Sequence, residues 1–276
     1  MRLRRLLTAV AAALVLTAAG SCTDAVGGAA SVAGAEMLRI GVKPDQPGLS
    51  LRAEDGTFEG FDVDVAHYIA AELGVERADV EFVGVTSHER EQVLVSGEVD
   101  LVLATYSITQ LRKTRVAFGG PYYVAHQDIL VQAGDTSVAD AADLEGKVLC
   151  QGAGSNSANR IIRERGIDAE RVERPAYSDC IDLLAEGEVD AVSTDDLILA
   201  GYLETAPSSF NLVNAPFTNE KYGVGVAKED VAGCEAVNRA ITRMYQDGTA
   251  AWLLRKWFGD SGLDINTSVP QFEGCT

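Results

Sequence analysis

Arg112 closes the run Thr105-Tyr106-Ser107-Ile108-Thr109-Gln110-Leu111-Arg112. A guanidinium there can grip a carboxylate through two parallel N–H bonds, and the hydroxyls and carbonyls of Thr105 and Ser107 can accept from an ammonium. The competing reading is a solvated loop arginine, the part assigned to Lys113 and Arg115. Two further cations stand out: Lys43, at the end of an apolar run, and Arg90 in Ser87-His88-Glu89-Arg90. Arg90 could instead pair with Glu89 or Glu91 on an exposed helix, which is worth little. Asp195 is a candidate counter-charge, although an Asp at a strand end often only caps a helix; its neighbour Asp196 suits that role better. Gly152-Ala153-Gly154-Ser155-Asn156-Ser157 sets a glycine turn ahead of a helical segment, where backbone N–H groups favour an anion. No Gly-Lys-Ser/Thr follows, which excludes a phosphate loop, and the third glycine of a dinucleotide fingerprint is absent. Ser155 as a plain helix cap is the alternative.

These cations run against the composition. The chain has 276 residues, 23 Lys+Arg and 41 Asp+Glu. Arg2, Arg4 and Arg5 are the only charges among the first 21 residues, so the remainder carries a net charge of −21. Such a surface repels nucleic acid and anionic headgroups. His67, His88 and His126 show no ligand spacing and there are no close Cys pairs, so no metal is expected, and no cofactor.

The elements that must position these residues come in a repeat. Gly97-Glu98-Val99-Asp100 runs into Leu101 to Thr105, and Gly187-Glu188-Val189-Asp190 runs into Ala191 to Asp195. Each copy follows a short helical segment and leads through an apolar strand to small polar residues. Strands near 38–42, 80–83, 101–104, 129–132, 147–150, 191–193 and 224–227 alternate with helices near 62–73, 89–96, 156–165, 179–186, 196–203, 231–245 and 249–258. This pattern predicts an α/β fold of two lobes, each a mainly parallel sheet flanked by helices. Ligands of open α/β sheets sit at the carboxyl ends of strands, so a cleft between the lobes is expected. Lobe 1 is assigned 37–121 plus 222–276 and lobe 2 122–221, with a two-crossover hinge near 119–123 and 216–222. Trp252, Leu253, Trp257 and Phe258 have the spacing to pack the last helix on lobe 1, and Tyr122 and Tyr123 are read as shaping the hinge. Glu98, Glu188, Asp100 and Asp190 read as turn and strand-edge residues.

The first residues are not part of that fold. A basic start, the apolar stretch Leu6 to Ala19 and Gly20-Ser21-Cys22 read as a secretory signal over 1–21. The cysteine after small residues resembles a bacterial lipoprotein cleavage site, which makes Cys22 the lipidated first residue. A Leu is usual where Ala19 stands, and ordinary signal cleavage is the alternative. Residues 22–36, poor in large side chains, read as a flexible tether, with folding starting near Met37. Four cysteines remain, an even number in an exported chain. Cys150 and Cys180 share lobe 2 and Cys234 and Cys275 lie near the end, so the pairs Cys150–Cys180 and Cys234–Cys275 are favoured over the other two pairings.

Gly60-Phe61-Asp62-Val63-Asp64-Val65, followed by Ile69, Ala70 and Leu73, resembles the signature of the family 3 extracellular solute-binding proteins. These are the polar amino-acid receptors of ATP-binding-cassette importers. The resemblance runs through Gly248-Thr249 and Lys256-Trp257-Phe258-Gly259. Lys43-Pro44-Asp45-Gln46-Pro47-Gly48 and the placement of Cys150 and Cys180 are most similar to the actinobacterial glutamate-binding lipoproteins. The resemblance implies the two-lobed, type II periplasmic-binding-protein-like fold closing on one amino acid. It assigns Arg112, Ser107, Gly154 and Ser155 to the α-carboxylate and Asp195, Thr105 and Ser107 to the α-ammonium. It assigns Arg90, Lys43, Ser87 and Asn156 to the ligand side chain, since Ser87-x-x-Arg90 looks like the Ser-x-x-Arg of the glutamate/aspartate binders.

The expectation is therefore a monomeric, lipid-anchored receptor on the outer face of the cell membrane. It would deliver L-glutamate, and L-aspartate next, to an importer's permease subunits. A surface sensor would share the same site, and a broader binder that takes glutamine is a further alternative. An enzyme on this fold, a dehydratase or a wall-lytic enzyme, would need a cleft acid or base; His88 is the nearest candidate base.

Overall fold

The computed structural model describes residues 31–275. The signal over 1–21, Cys22 and the tether up to residue 30 lie outside the described residues. From residue 31 the chain is already docked: the Asp230 carboxylate accepts from Ser31 Oγ at 2.6 Å and Val32 N at 2.8 Å, and the Val32 side chain is buried. Ordered contacts thus begin before Met37, where the half-buried Asp230 carboxylate and the packing of Val32 hold the segment.

Lobe 1 begins with β1 (Leu38–Val42). A small antiparallel sheet follows, made of β2 (Asp45–Gln46), β3 (Ser50–Arg52) and β4 (Phe58–Glu59). Next come α1 (Phe61–Glu72), β5 (Val80–Gly84), α2 (Arg90–Val95), β6 (Leu101–Val102), the single turn α3 (Gln110–Lys113) and β7 (Ala117–Ala125). Lobe 2 holds β8 (Gln127–Gln132), β9 (Val148–Gly152), α4 (Ser157–Asn159), β10 (Glu170–Arg174), α5 (Tyr177–Glu186), β11 (Ala191–Asp195), α6 (Asp196–Thr205) and β12 (Phe210–Leu212). The chain then returns to lobe 1 with β13 (Glu220–Val226), α7 (Val231–Gln246) and α8 (Thr249–Phe258).

The two main sheets have orders β5-β1-β6-β13-β7 and β10-β9-β11-β8-β12. Each combines two parallel pairings with two antiparallel ones. The sheets are thus mixed, where mainly parallel ones were expected. The reason is topological: β7 leaves lobe 1 and β13 comes back beside it, so the two must run in opposite senses. The helix expected over 156–165 is also irregular. It has one α-turn, then a wider-turned segment over Arg160–Glu164.

The chain passes from one sheet to the other at His126, between β7 and β8, and returns between Leu212 and Glu220. Gly119 to Tyr123, expected at the first crossover, lies inside β7. Asp196 braces the crossover itself, accepting from His126 N at 3.2 Å and from Leu197 N at 2.8 Å.

The repeated tetrapeptides occupy equivalent places. Gly97 and Gly187 both take φ 73°, which lets the chain leave the preceding helix in a left-handed turn. Asp100 then exchanges two bonds with Arg39, its carboxylate accepting from Arg39 N at 2.7 Å and its own N donating to Arg39 O at 2.7 Å. Asp190 does the same with Val148, at 2.7 and 2.9 Å. Each aspartate locks the start of its strand to the start of the neighbouring strand.

Both favoured disulfides form: Cys150–Cys180 ties β9 to α5, and Cys234–Cys275 ties the C-terminal segment to α7. Leu253 and Phe258 bury into lobe 1 as expected, but Trp252 is 56% exposed. It faces outward with Lys256, whose ammonium lies 5.6 Å from its ring centroid.

Candidate functional site

The carboxyl ends of the two sets of strands face each other across a small polar cavity. Ser87, Arg90, Thr105, Ser107 and Arg112 line it from lobe 1. Gln127, Ser155, Asn156, Ser157, Tyr177, Thr194, Asp195 and Ile198 line it from lobe 2, with Glu220 on the returning strand. The walls are almost wholly polar. A site that holds a charged, zwitterionic molecule must supply such partners as the ligand leaves water.

The lobe 1 wall is cationic. Arg112 Nη1 donates to Ser107 O at 2.7 Å, and its Nη2 reaches across the cleft to Gly154 O at 3.2 Å. Glu91 stands 3.7 Å from Arg112 Nε. Arg90 is buried with its guanidinium carbon 4.2 Å above the centre of the Tyr106 ring, and Arg112 approaches the same ring at 5.1 Å. The aromatic face gives both cations a favourable quadrupole, and for Arg90 it does so with no carboxylate in ion-pair range among the described residues. Arg90 Nη1 donates to Ala104 O at 2.8 Å, while its buried Nε has no partner. Burial, followed by the charge of Arg112, pulls the Arg90 pKa down to about 9, which leaves it a cation at neutral pH.

Lys43 takes a different position from the other two. It is buried but does not line the cavity; its Nζ donates to Ser87 Oγ at 2.6 Å, and Ser87 does line it. Burial first, and the neighbouring Arg90 charge second, lower the Lys43 pKa to about 7.

Thr105 has φ 45°, a strained value for a β-branched residue. The fixing group is Asp62, at the start of α1, whose carboxylate accepts from Thr105 N at 2.9 Å and from Tyr122 Oη at 2.8 Å. Burial raises the Asp62 pKa to about 6. The Gly60-Phe61-Asp62 run therefore has a mechanical role: Gly60, at φ 135°, passes so close to Leu49 that a Cβ would stand 2.3 Å from its carbonyl oxygen. That close passage brings Asp62 under the strand end.

The lobe 2 wall carries acids and hydroxyls. Asp195, at the end of β11, is buried, and burial pushes its carboxyl well above the usual range, with the charge of Glu220 adding to the effect. Ser155 Oγ, Ser157 Oγ and Tyr177 Oη form a triangle of hydrogen bonds at 2.8 to 2.9 Å. Ser157 N also donates to Ser155 Oγ at 3.3 Å, so Ser155 serves in part as a local cap. Asn156 lines the cavity beside it.

Among the described residues, the lobes meet at the Gly154 turn and at Asp45, among other contacts. At Gly154, φ 77°, a Cβ would lie 2.7 Å from the His88 backbone, so only glycine admits the loop from lobe 1. On the other side Asp45 of β2 meets lobe 2: Tyr202 Oη donates to Asp45 O at 2.6 Å and Ser178 N donates to Asp45 Oδ2 at 3.3 Å.

Of the residues singled out from sequence, Ser87, Arg90, Thr105, Ser107, Arg112, Ser155, Asn156 and Asp195 line one cavity, Gly154 meets Arg112 at its edge, and Lys43 stands behind Ser87. Sequence reasoning missed Glu220, Gln127, Tyr177, Thr194 and Ser157 as wall residues. Glu220 lay in a segment read only as a crossover. An acid beginning an apolar strand was the one available signal, and many surface strands share it. His88, the candidate base, is not among the residues lining the cavity.

The family model for bacterial extracellular solute-binding proteins, family 3, matches residues 38–260. The glutamate-binding protein GluB of Corynebacterium glutamicum is 38% identical, over 98% of this chain and 97% of its own length. The glutamine-binding protein GlnH of Bacillus subtilis is 32% identical, over 80% of this chain and 81% of its own. Among solved structures, an ancestral arginine-binding protein bound to arginine superposes with a TM-score of 0.75 at 33% identity, covering 82% of this chain and all of that one.

Proposed function

The chain belongs to the bacterial extracellular solute-binding proteins, family 3, and from that premise we propose that it captures an acidic amino acid. L-glutamate is the first ligand and L-aspartate the second, held as the lobes close. Its place is extracytoplasmic, as an amino-acid-binding component of ATP-binding-cassette import. The family is one of binding proteins, which removes the enzyme reading.

One observation carries the acidic assignment. Among the described residues, Arg90 and Lys43 are buried cations beside the cavity without a carboxylate in ion-pair range, and Arg112 has only Glu91 at 3.7 Å. Unpaired buried charge is costly, and a ligand with two carboxylates relieves it. In this reading Arg112 and Ser107 hold the α-carboxylate, with Gly154 and Ser155 closing over it. Asp195, Thr105 and Ser107 take the α-ammonium. Arg90, with Ser87 and Asn156, meets the distal carboxylate, and Lys43 reinforces it through Ser87. The Glu-binding relative at 38% identity supports the same ligand.

Isothermal titration against L-Glu, L-Asp, L-Gln and L-Arg tests the assignment. Tight glutamine binding without any glutamate heat would sink it. The lipid anchor at Cys22 is part of the proposal. Replacing Cys22 by Ser should move the protein from the membrane fraction to the medium, and unchanged fractionation would refute the anchor.

A further inference from the structure

The cavity holds a second buried acid. Glu220 is 3% exposed, lines the same cavity as Asp195, and begins the strand that returns to lobe 1. Two free carboxylates in one cavity would suit a ligand with two positive charges, the opposite of the ligand proposed above. The structure shows what prevents this. Arg160, in the helical segment after the Ser155-Asn156 turn, donates from Nε to Glu220 Oε1 at 2.8 Å and from Nη2 to Oε2 at 3.4 Å. Its remaining Nη1 binds both oxygens of Glu164, at 2.8 Å each. Arg160 is thus held from outside the cavity by one acid while it grips another that faces in.

We infer that Arg160 and Glu220 together set the charge specificity of the cleft. Arg160 neutralises the second acid, so that Asp195 alone answers a ligand ammonium and the cationic wall of Arg90 and Arg112 is left to answer carboxylates. The inference rests on the proposed capture of an acidic amino acid, but it concerns how ligand charge is discriminated and can fail separately. The pair acts at short range, with the Glu220 side chain 4% exposed and Arg160 23% exposed outside the cavity, so loss of Arg160 leaves a buried charge facing in. It also joins lobe 2 to the returning strand, so a merely structural role is the alternative to be excluded.

The test is the ratio of affinities for L-Glu and L-Gln, two ligands of nearly equal shape that differ by one charge. Isothermal titration is run on the wild type, Arg160→Gln, Glu220→Gln and the double variant. Arg160→Gln should lower the Glu-to-Gln preference by about tenfold, because Glu220 then repels the added carboxylate. Glu220→Gln should leave that preference unchanged or raise it, since Arg160 keeps Glu164 as a partner and its charge becomes available to the cavity. The double variant should return the preference to within about threefold of the wild type. Equal weakening of both ligands by Arg160→Gln, or a double variant that does not recover, would assign the pair to structure alone. A fall in preference in Glu220→Gln would overturn the inference even if Arg160→Gln does not fold. A wild type that favours glutamine would refute the acidic ligand while the direction of the Arg160→Gln shift still reads the pair.

Discussion

The two lobes share a scaffold and differ in charge. In both, a left-handed glycine ends a helix, an aspartate ties one strand to its neighbour, and the strand delivers its carboxyl end to the cleft. At that end lobe 1 presents Thr105, Ser107 and Arg112, with Arg90 and Lys43 packed behind and beside them. Lobe 2 presents Asp195 and a triangle of hydroxyls, and its Arg160 holds Glu220 of the returning strand. The same backbone unit thus builds a cationic wall and an acidic one. In the proposed reading the repeat sets where a ligand sits, while side chains at and beyond its strand ends set the ligand's charge.

Removing the strongest member of the cationic wall should break the comparison most. Arg112→Met is expected to weaken L-Glu, L-Asp and L-Gln together by more than about a hundredfold in titration, because every amino acid carries the α-carboxylate. A loss confined to L-Glu would mean that Arg112 reads the side chain instead. Arg90→Gln should discriminate: about a tenfold loss for L-Glu with L-Gln changed by less than about threefold.

Lys43 gives a pH signature of smaller size. Its folded pKa of about 7 lies below the ordinary 10.5. The unfolded chain therefore binds more protons between those values, and the ligand-free protein should gain stability as pH rises through that window. An anionic ligand side chain favours the ammonium, so binding above pH 7 takes up a proton. Glutamate affinity should fall several-fold from pH 7 to pH 9, and Lys43→Met should flatten the profile. A wild-type affinity that is constant across that range would remove Lys43 from the site.

The smallest effects should fall on the scaffold, equally in both lobes. Asp100→Asn and Asp190→Asn each weaken one strand-to-strand tie and should cost about 1 kcal/mol in denaturant unfolding, with glutamate affinity unchanged. A change in affinity from either would show that the repeat reaches the ligand, against the division drawn above.

Much of the candidate site was legible because its residues lie just past recognisable elements. Arg112 follows the first repeat's strand, Asp195 ends the second's, and Ser155 and Asn156 follow a glycine turn. Local periodicity and local punctuation are properties of neighbouring residues, so a sequence carries them directly. Glu220 and Arg160 are 60 positions apart and carry no such signal. The same holds for Asp62, which reaches Thr105 and Tyr122, 43 and 60 positions away, from the start of α1. Trp252 shows the reverse failure: its helical spacing suggested burial, but the face it shares with Lys256 points to solvent.

What the sequence determined by itself was the alternation of strand and helix, the repeat, an acidic chain with a few cations against the trend, and cysteines placed to pair within their own regions. What only the tertiary structure decided was which of these meet. It moved the first crossover to His126, mixed the strand directions in both sheets, set Lys43 behind Ser87 instead of on the wall, and brought Glu220 into the cavity under Arg160. The physical reason is range. Hydrogen bonding within a helix or turn depends on a few adjacent residues, whereas the charge balance of a cleft is a sum over side chains that meet only once both lobes are built.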